Sequence, residues 1–190
     1  MMKPSVICLD LDGVLVDLHR ALVCLFGEDP DRYTDEDWSK VGEWGLSIPK
    51  GDFWGRVRSQ GAQWWVNLPK LPWADALWQA ALDTGAECVV LTTPAPFPEC
   101  AAGKYQWVSE QLHTNHILIG KPKEICAQPG TWLIDDRAGY GPRWEARGGR
   151  LLSLQRPWNP SGMPIDAILG ELRKYASAGQ SEVSVGQGEA

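Results

Sequence analysis

Apolar and polar positions along this chain follow two alternating rhythms. Short apolar runs closed by polar or turn residues read as strands, and stretches with apolar residues three and four apart read as helices. Ser5 to Asp10 is the first strand, and Gly13 turns the chain after it. LHRALVCLFG is a helix with Leu18, Leu22, Leu25 and Phe26 on one face and Gly27 as its stop. WADALWQAALDTG is a second helix, with Trp73, Leu77 and Ala81 on one line, Trp78 and Leu82 on another, and Gly85 at its end. A strand (ECVVLTT), a helix (KYQWVSEQL), three strands (HILI, GTWLIDD and RLLSL) and a helix (PIDAILGELRKY, Pro164 in its first turn) follow. Strands alternating with helices predict an α/β fold: a three-layer, Rossmann-like core around a mainly parallel sheet.

One segment breaks the rhythm. From Glu28 to about Pro72 the chain is irregular, polar and punctuated by Gly and Pro. Seven of the eleven tryptophans fall between Trp38 and Trp78. We read residues 18–72 as a small, mostly helical cap inserted after the first strand, and residues 1–17 and 73–175 as the core. Residues 176–190 form a small, polar tail expected to be disordered.

Composition narrows the partners. The chain has 190 residues, with 44% hydrophobic and 22% charged positions, as expected for a globular domain. A net charge of −6 argues against nucleic-acid polymers and anionic membranes, while leaving room for a small phosphorylated ligand in a locally positive pocket. No run approaches the ~20 apolar residues of a membrane span, and the first residues meet a charge too early for a secretory signal. Five cysteines with no C-x-x-C spacing read as reduced thiols, so a cytoplasmic location is expected. A homodimer is left open.

The polar residues collect at strand ends. Asp10 and Asp12 close the first strand, Thr92 and Thr93 close ECVVL, Asp135 and Asp136 close TWLI, and Lys121 and Lys123 follow HILI. In a parallel sheet the ligand site lies beyond the carboxyl ends of the strands. Carboxylates converging there need a cation, and Mg²⁺ suits oxygen ligands shared with a phosphate. A carboxylate such as Asp10 can attack phosphorus without an activating base. A neighbouring charge can raise the Asp12 pKa, fitting it to act as acid and then base. Thr92 and Thr93, nearby backbone amides and a lysine are the candidates to hold the phosphate. Taken singly, each group has a structural reading: a D-x-D can cap a helix, a threonine can simply end a strand, and a lysine is usually solvated. The three histidines show no partner spacing and read as structural or surface groups, and Arg137 is expected to pair with a carboxylate.

DLDGV, a threonine closing a second strand, a lysine and LIDD together resemble the haloacid dehalogenase-like (HAD) hydrolase superfamily. LTTP, KYQWVSEQL and LIDDR are similar to the 5'(3')-deoxyribonucleotidase family, phage and bacterial members included. The resemblance covers residues 5–155. It implies a Mg²⁺-dependent aspartyl-phosphate mechanism in which Asp10 is nucleophile and metal ligand. Asp12 is the acid/base whose backbone carbonyl also binds the metal. Thr92 binds phosphate, Lys123 is the preferred active-site lysine with Lys121 as alternative, Asp136 is a metal ligand, and Asp135 orients the lysine or the metal's waters. Leu18 stands where the family usually carries an aromatic residue facing the base, so base stacking is expected from the insertion, with Trp64 and Trp65 as candidates. The function so implied is hydrolysis of (deoxy)nucleoside 5'-monophosphates. Two alternatives remain: the same machinery acting on another phosphate ester, such as a sugar phosphate, or as a phosphomutase; and a non-catalytic, partner-binding relative.

Overall fold

The computed structural model describes residues 3–42 and 50–176, with only the backbone course given for 41, 42 and 50–52. Trp44 of the insertion and the polar tail from 177 lie outside the described residues.

Five strands form one sheet: β1 (Val6–Leu9), β2 (Glu87–Thr92), β3 (Ile117–Ile119), β4 (Thr131–Asp135) and β5 (Arg150–Ser153), in the order β3-β2-β1-β4-β5. Every neighbouring pair is parallel, and the order reverses at β1. Register pairs Leu9 with both Val90 and Ile134, so the residues that follow each strand reach the same rim.

Alternation along the strands divides the core between two faces. Ile7, Leu9, Val90, Trp132 and Ile134 pack into the larger cluster, with α5 (Ala74–Asp83), α6 (Pro98–Leu112) and α8 (Ile165–Arg173). Cys8, Leu91 and Leu133 point the other way, against Trp144 of the short α7 (Gly141–Glu145). That second layer is thin. It consists of α7 and the 3₁₀ turns Lys123–Cys126 and Ala138–Tyr140, none of which carries enough apolar periodicity to be read from the sequence. Leu82 departs from its expected pairing role: in the last turn of α5 it stays 42% exposed, on the rim of a surface hollow that Trp78 and Leu112 also line. All five cysteines are free.

The helix expected at KYQWVSEQL is longer, opening at Pro98. Proline suits a first turn, where its missing N–H costs nothing. Ala101, Ala102 and Gly103 gave that turn no apolar stripe to read.

The insertion is helical, with α1 (Leu18–Leu25), α2 (Asp35–Gly42), α3 (Lys50–Ser59) and α4 (Gly61–Val66). Its two connections run side by side: the Asp17 N–H donates to Pro69 O and the Leu71 N–H to Leu15 O, both at 2.9 Å. Its last helix docks on the core. A Cβ on Gly103 would lie 2.4 Å from Trp65 Cβ and 2.6 Å from Ala62 O, so only glycine lets α4 approach α6 this closely. The Trp107 indole seals the junction by donating to Leu68 O at 2.8 Å.

Candidate functional site

The carboxyl edge of β1 delivers Asp10, whose backbone N–H donates to Ile134 O at 2.9 Å, between the ends of β2 and β4. Asp10 Oδ1 accepts from the Leu11 N–H at 2.8 Å and lies 2.9 Å from Lys123 Nζ. Lys123 Nζ also donates to Asp135 Oδ2 at 2.7 Å and sits 5.0 Å from the Tyr140 ring centroid. The 3₁₀ turn after β3 carries this lysine into the interior, where it is 1% exposed. Lys121 stays exposed at the cavity mouth, so the pairing with Asp10 goes to Lys123. Burial opposes the Lys123 charge, but Asp10 and Asp135 more than offset it and hold its pKa above the usual value.

Carboxylate oxygens of Asp10, Asp135 and Asp136 lie within 4.8 Å of one another. Asp136 Oδ2 accepts from the Trp158 indole at 2.7 Å, while its Oδ1 is buried with no hydrogen-bond partner. Burial, then Asp135 and Asp10, push the Asp136 pKa up to about 8. Burial and Asp10 push Asp135 up to about 6. An orphaned buried oxygen within a group of hard carboxylate donors fits a divalent cation of the Mg²⁺ type. Gly13 makes this packing possible. Its φ is +76°, and a Cβ there would sit 2.4 Å from Asp136 Oδ2.

These shifts carry a sign. Asp136 holds its proton more tightly when folded, so the stability it contributes in metal-free protein is present at low pH. That stability is lost as pH climbs from its ordinary 3.8 through about 8. With a chelator present, wild type and Asp136→Asn should melt alike near pH 3.5 and diverge steadily toward pH 8.5, the variant becoming the more stable. Thermal unfolding at stepped pH measures this, and parallel curves would refute it. An added divalent cation should close the gap from the wild-type side.

Asp12 stands outside the three-carboxylate group. Its Oδ2 accepts from Lys104 Nζ at 2.5 Å, and its Oδ1 is buried with no hydrogen-bond partner. Burial raises the Asp12 pKa, Asp10 adds to the rise and Lys104 opposes it. Lys104 is the residue that sequence reasoning missed. It is 1% exposed and spends its three donors on Asp12 Oδ2, Thr92 Oγ1 and Thr93 O, the last two at 2.9 Å. One signal could have found it: with Cys100, Trp107 and Val108 it lies on the buried stripe of α6, where a lysine needs a reason to be.

A cavity of about 540 Å³ opens over these groups. Asp10, Asp12, Lys123 and Asp136 line it together with Leu18, His19, Trp54, Trp65 and Pro94. The two threonines divide. Thr93 lines the cavity, whereas Thr92, the expected phosphate binder, is fully buried off it and spends its hydroxyl on Lys104. The two tryptophans divide as well. Trp65 lines the cavity and Trp64 packs edge-on against it at 5.0 Å, leaving the second aromatic wall to Trp54, which was not singled out. Consecutive helical residues face about 100° apart, and here Trp65 turns to the cavity while Trp64 packs beside it. His19, expected to be structural or at the surface, is a buried cavity residue packed at a tilt against Trp158. Burial and the nearby Arg156 and Arg137 push its pKa down to about 3, so it is neutral.

No protein-family model and no curated protein matches the chain at a significant level. Solved structures do. A putative HAD-hydrolase from Bacillus subtilis bound to magnesium superposes with a TM-score of 0.58 over 93% of this chain and 100% of its own, at 12% identity. A HAD family hydrolase from Deinococcus radiodurans with bound phosphate and sodium gives 0.51 over 90% and 88%, at 16% identity. The fold is that of the HAD hydrolases. A third structure with this fold, CbbY from Rhodobacter sphaeroides with xylulose-1,5-bisphosphate, gives 0.51 over 84% and 91%, at 13% identity. In the HAD fold of this chain, Asp10, Asp12, Lys123, Asp135 and Asp136 meet at the carboxyl edge of the sheet, at the strand where the order reverses. No helix among the described residues is long and apolar enough to cross a membrane.

Proposed function

We propose that the chain is a divalent-cation-dependent phosphatase that hydrolyses (deoxy)nucleoside 5'-monophosphates to nucleoside and phosphate through an aspartyl-phosphate on Asp10. The observation that carries this reading is the joining of two surfaces in one cavity: the Asp10, Lys123 and Asp136 group, and the walls of Trp54 and Trp65. Its volume suits a ligand of nucleotide size.

The Asp10 carboxylate attacks phosphorus with no activating base. The bond to the leaving oxygen breaks, and Asp12, whose raised pKa favours holding a proton, protonates the departing nucleoside. Asp12 then takes a proton from the water that attacks the acyl phosphate, restoring Asp10 and releasing phosphate. Lys104 fixes the Asp12 carboxylate throughout, and Lys123 offsets charge beside Asp10. A Mg²⁺ held by Asp10, Asp136 and the Asp135 side of the cluster would neutralise phosphate charge. Three carboxylates stand in this group against the buried Lys123 ammonium, an excess that a divalent cation matches.

A phosphate-release panel over deoxy- and ribonucleotides, sugar phosphates and an aryl phosphate, with Mg²⁺ and with chelator, tests the proposal. Nucleotides should rank first, and release should vanish with chelator. No release from any ester would end the phosphatase reading. A panel led by sugar phosphates would establish the second reading, which the exposed Lys121 and Arg137 at the cavity support as partners for another anionic group.

Base stacking on an aromatic wall is worth ~1–3 kcal/mol. Trp54→Ala and Trp65→Ala should therefore raise KM for nucleotides about tenfold, with little change for glycerol phosphate. Trp64→Ala should leave both near wild type. Steady-state kinetics on the three variants decide whether the walls recognise the base.

A further inference from the structure

Trp158 lies in the loop between β5 and α8, and the reaction scheme above makes no use of it. Its indole N–H donates to Asp136 Oδ2 at 2.7 Å. The ring is held on several sides. The His19 ring lies 3.9 Å away between centroids, tilted by 34°, and the Arg156 guanidinium sits 4.8 Å from the ring centroid. The same guanidinium lies 5.1 Å from the Trp73 ring, and the Trp73 indole donates to Val14 O at 2.9 Å. A series of packed rings and a guanidinium therefore ties the β5 loop to the turn that carries Asp10 and Asp12. A Cβ built on Gly13 would lie 3.4 Å from Trp158 Cζ2, so the indole edge runs along that turn.

The loop itself is braced. Asn159, buried, donates through Nδ2 to Ser153 Oγ at 2.7 Å and to Leu154 O at 2.8 Å. The Gln155 N–H donates to Met163 O at 2.8 Å, and the Asn159 N–H to Arg156 O at 2.8 Å. A segment that only had to cover the sheet edge would not need its indole aimed at a buried carboxylate.

An indole has one donor and no acceptor, and it neither ligates a hard cation nor changes charge. A hydrogen bond from it to one carboxylate oxygen fixes the plane of the carboxylate and leaves the other oxygen open. Here the other oxygen, Asp136 Oδ1, is the buried one with no hydrogen-bond partner. We infer that Trp158 is a positioning residue for the divalent cation: its N–H holds Asp136 so that Oδ1, with the Asp10 and Asp135 carboxylates, is presented to the metal. Partners of this kind behind a metal ligand are typically worth ~10–100-fold in affinity or activity. The inference rests on the proposed cation site.

Trp158→Phe keeps an aromatic ring for His19 and Arg156 to pack on and removes the donor together with the pyrrole part of the indole. Metal-stripped wild type and variant are titrated with Mn²⁺, and free ion is read by electron paramagnetic resonance, with no turnover involved. The variant should bind Mn²⁺ about tenfold or more weakly, with a metal-free melting temperature close to wild type. In the phosphate-release assay its half-activating Mg²⁺ concentration should rise by a similar factor, while KM for the ester at saturating Mg²⁺ stays put. Wild-type Mn²⁺ affinity in Trp158→Phe would overturn the inference and leave the cation site standing. A wild-type protein that binds no Mn²⁺ would overturn both. Should Trp158→Phe fail to fold, Asn159→Ala, which loosens the brace but retains the indole, should weaken Mn²⁺ binding in the same direction. Unchanged affinity there would then count against the inference.

Discussion

Asp10→Asn should lose phosphatase activity by about four orders of magnitude or more, the scale seen when a nucleophile that acts as part of a unit is removed. The amide cannot form the acyl phosphate, and losing its negative charge removes half of what holds Lys123 in place. Because Asp135 still pairs with that lysine, the variant should fold. Asp12→Asn should fail differently. Its nucleophile is intact, so with a substrate whose leaving group needs no proton, such as a nitrophenyl phosphate, it should form the aspartyl-phosphate and stall there. Rapid-quench trapping with labelled substrate separates the two: stoichiometric label on Asp12→Asn and none on Asp10→Asn. Label on both, or a burst-free Asp12→Asn with near-normal turnover, would contradict the division of labour.

Lys104→Met is the second change expected to be large, and it affects both stability and rate. Removing one partner of a buried ion pair typically costs ~3–5 kcal/mol, because the remaining charge is left uncompensated. Asp12 is 22% exposed in its side chain, so water will soften the cost and a value at the low end is expected. Thr92 Oγ1 and Thr93 O also lose their donor. With Asp12 no longer held at the cavity, turnover should fall by about 10²–10⁴, the contribution usual for a positioned general acid. Adding Asp12→Asn to Lys104→Met should then restore part of the lost melting temperature without restoring activity, since the unpaired charge is gone. Denaturant unfolding of the single and double variants measures the coupling, and strict additivity would show that the pair is not a unit.

Much of this site was legible in the sequence. Asp10, Asp135 and Asp136 were readable because each sits at the end of an apolar run, and parallel strand ends share one rim. The glycine of DLDG was readable for the turn it permits, though not for the room it leaves Asp136. Lys123 against Lys121 stayed open, because two lysines two residues apart look alike until a 3₁₀ turn sends one inward. Lys104 looked like any helical lysine, and Trp158 lay in a stretch with no regular pattern. The aromatic wall was expected from the right segment but assigned to Trp64 and Trp65, whereas the cavity takes Trp54 and Trp65.

The sequence by itself determined the α/β architecture, the inserted helical segment and the acidic rim, because each follows from local periodicity and from what ends a strand. Only the tertiary structure decided which cations answer those acids and which side chains wall the cavity. Lys104 reaches Asp12 across 92 positions of chain, and Trp158 reaches Asp136 across 22. A buried charge or donor acts through distance and low dielectric, and neither is written in the residues beside it.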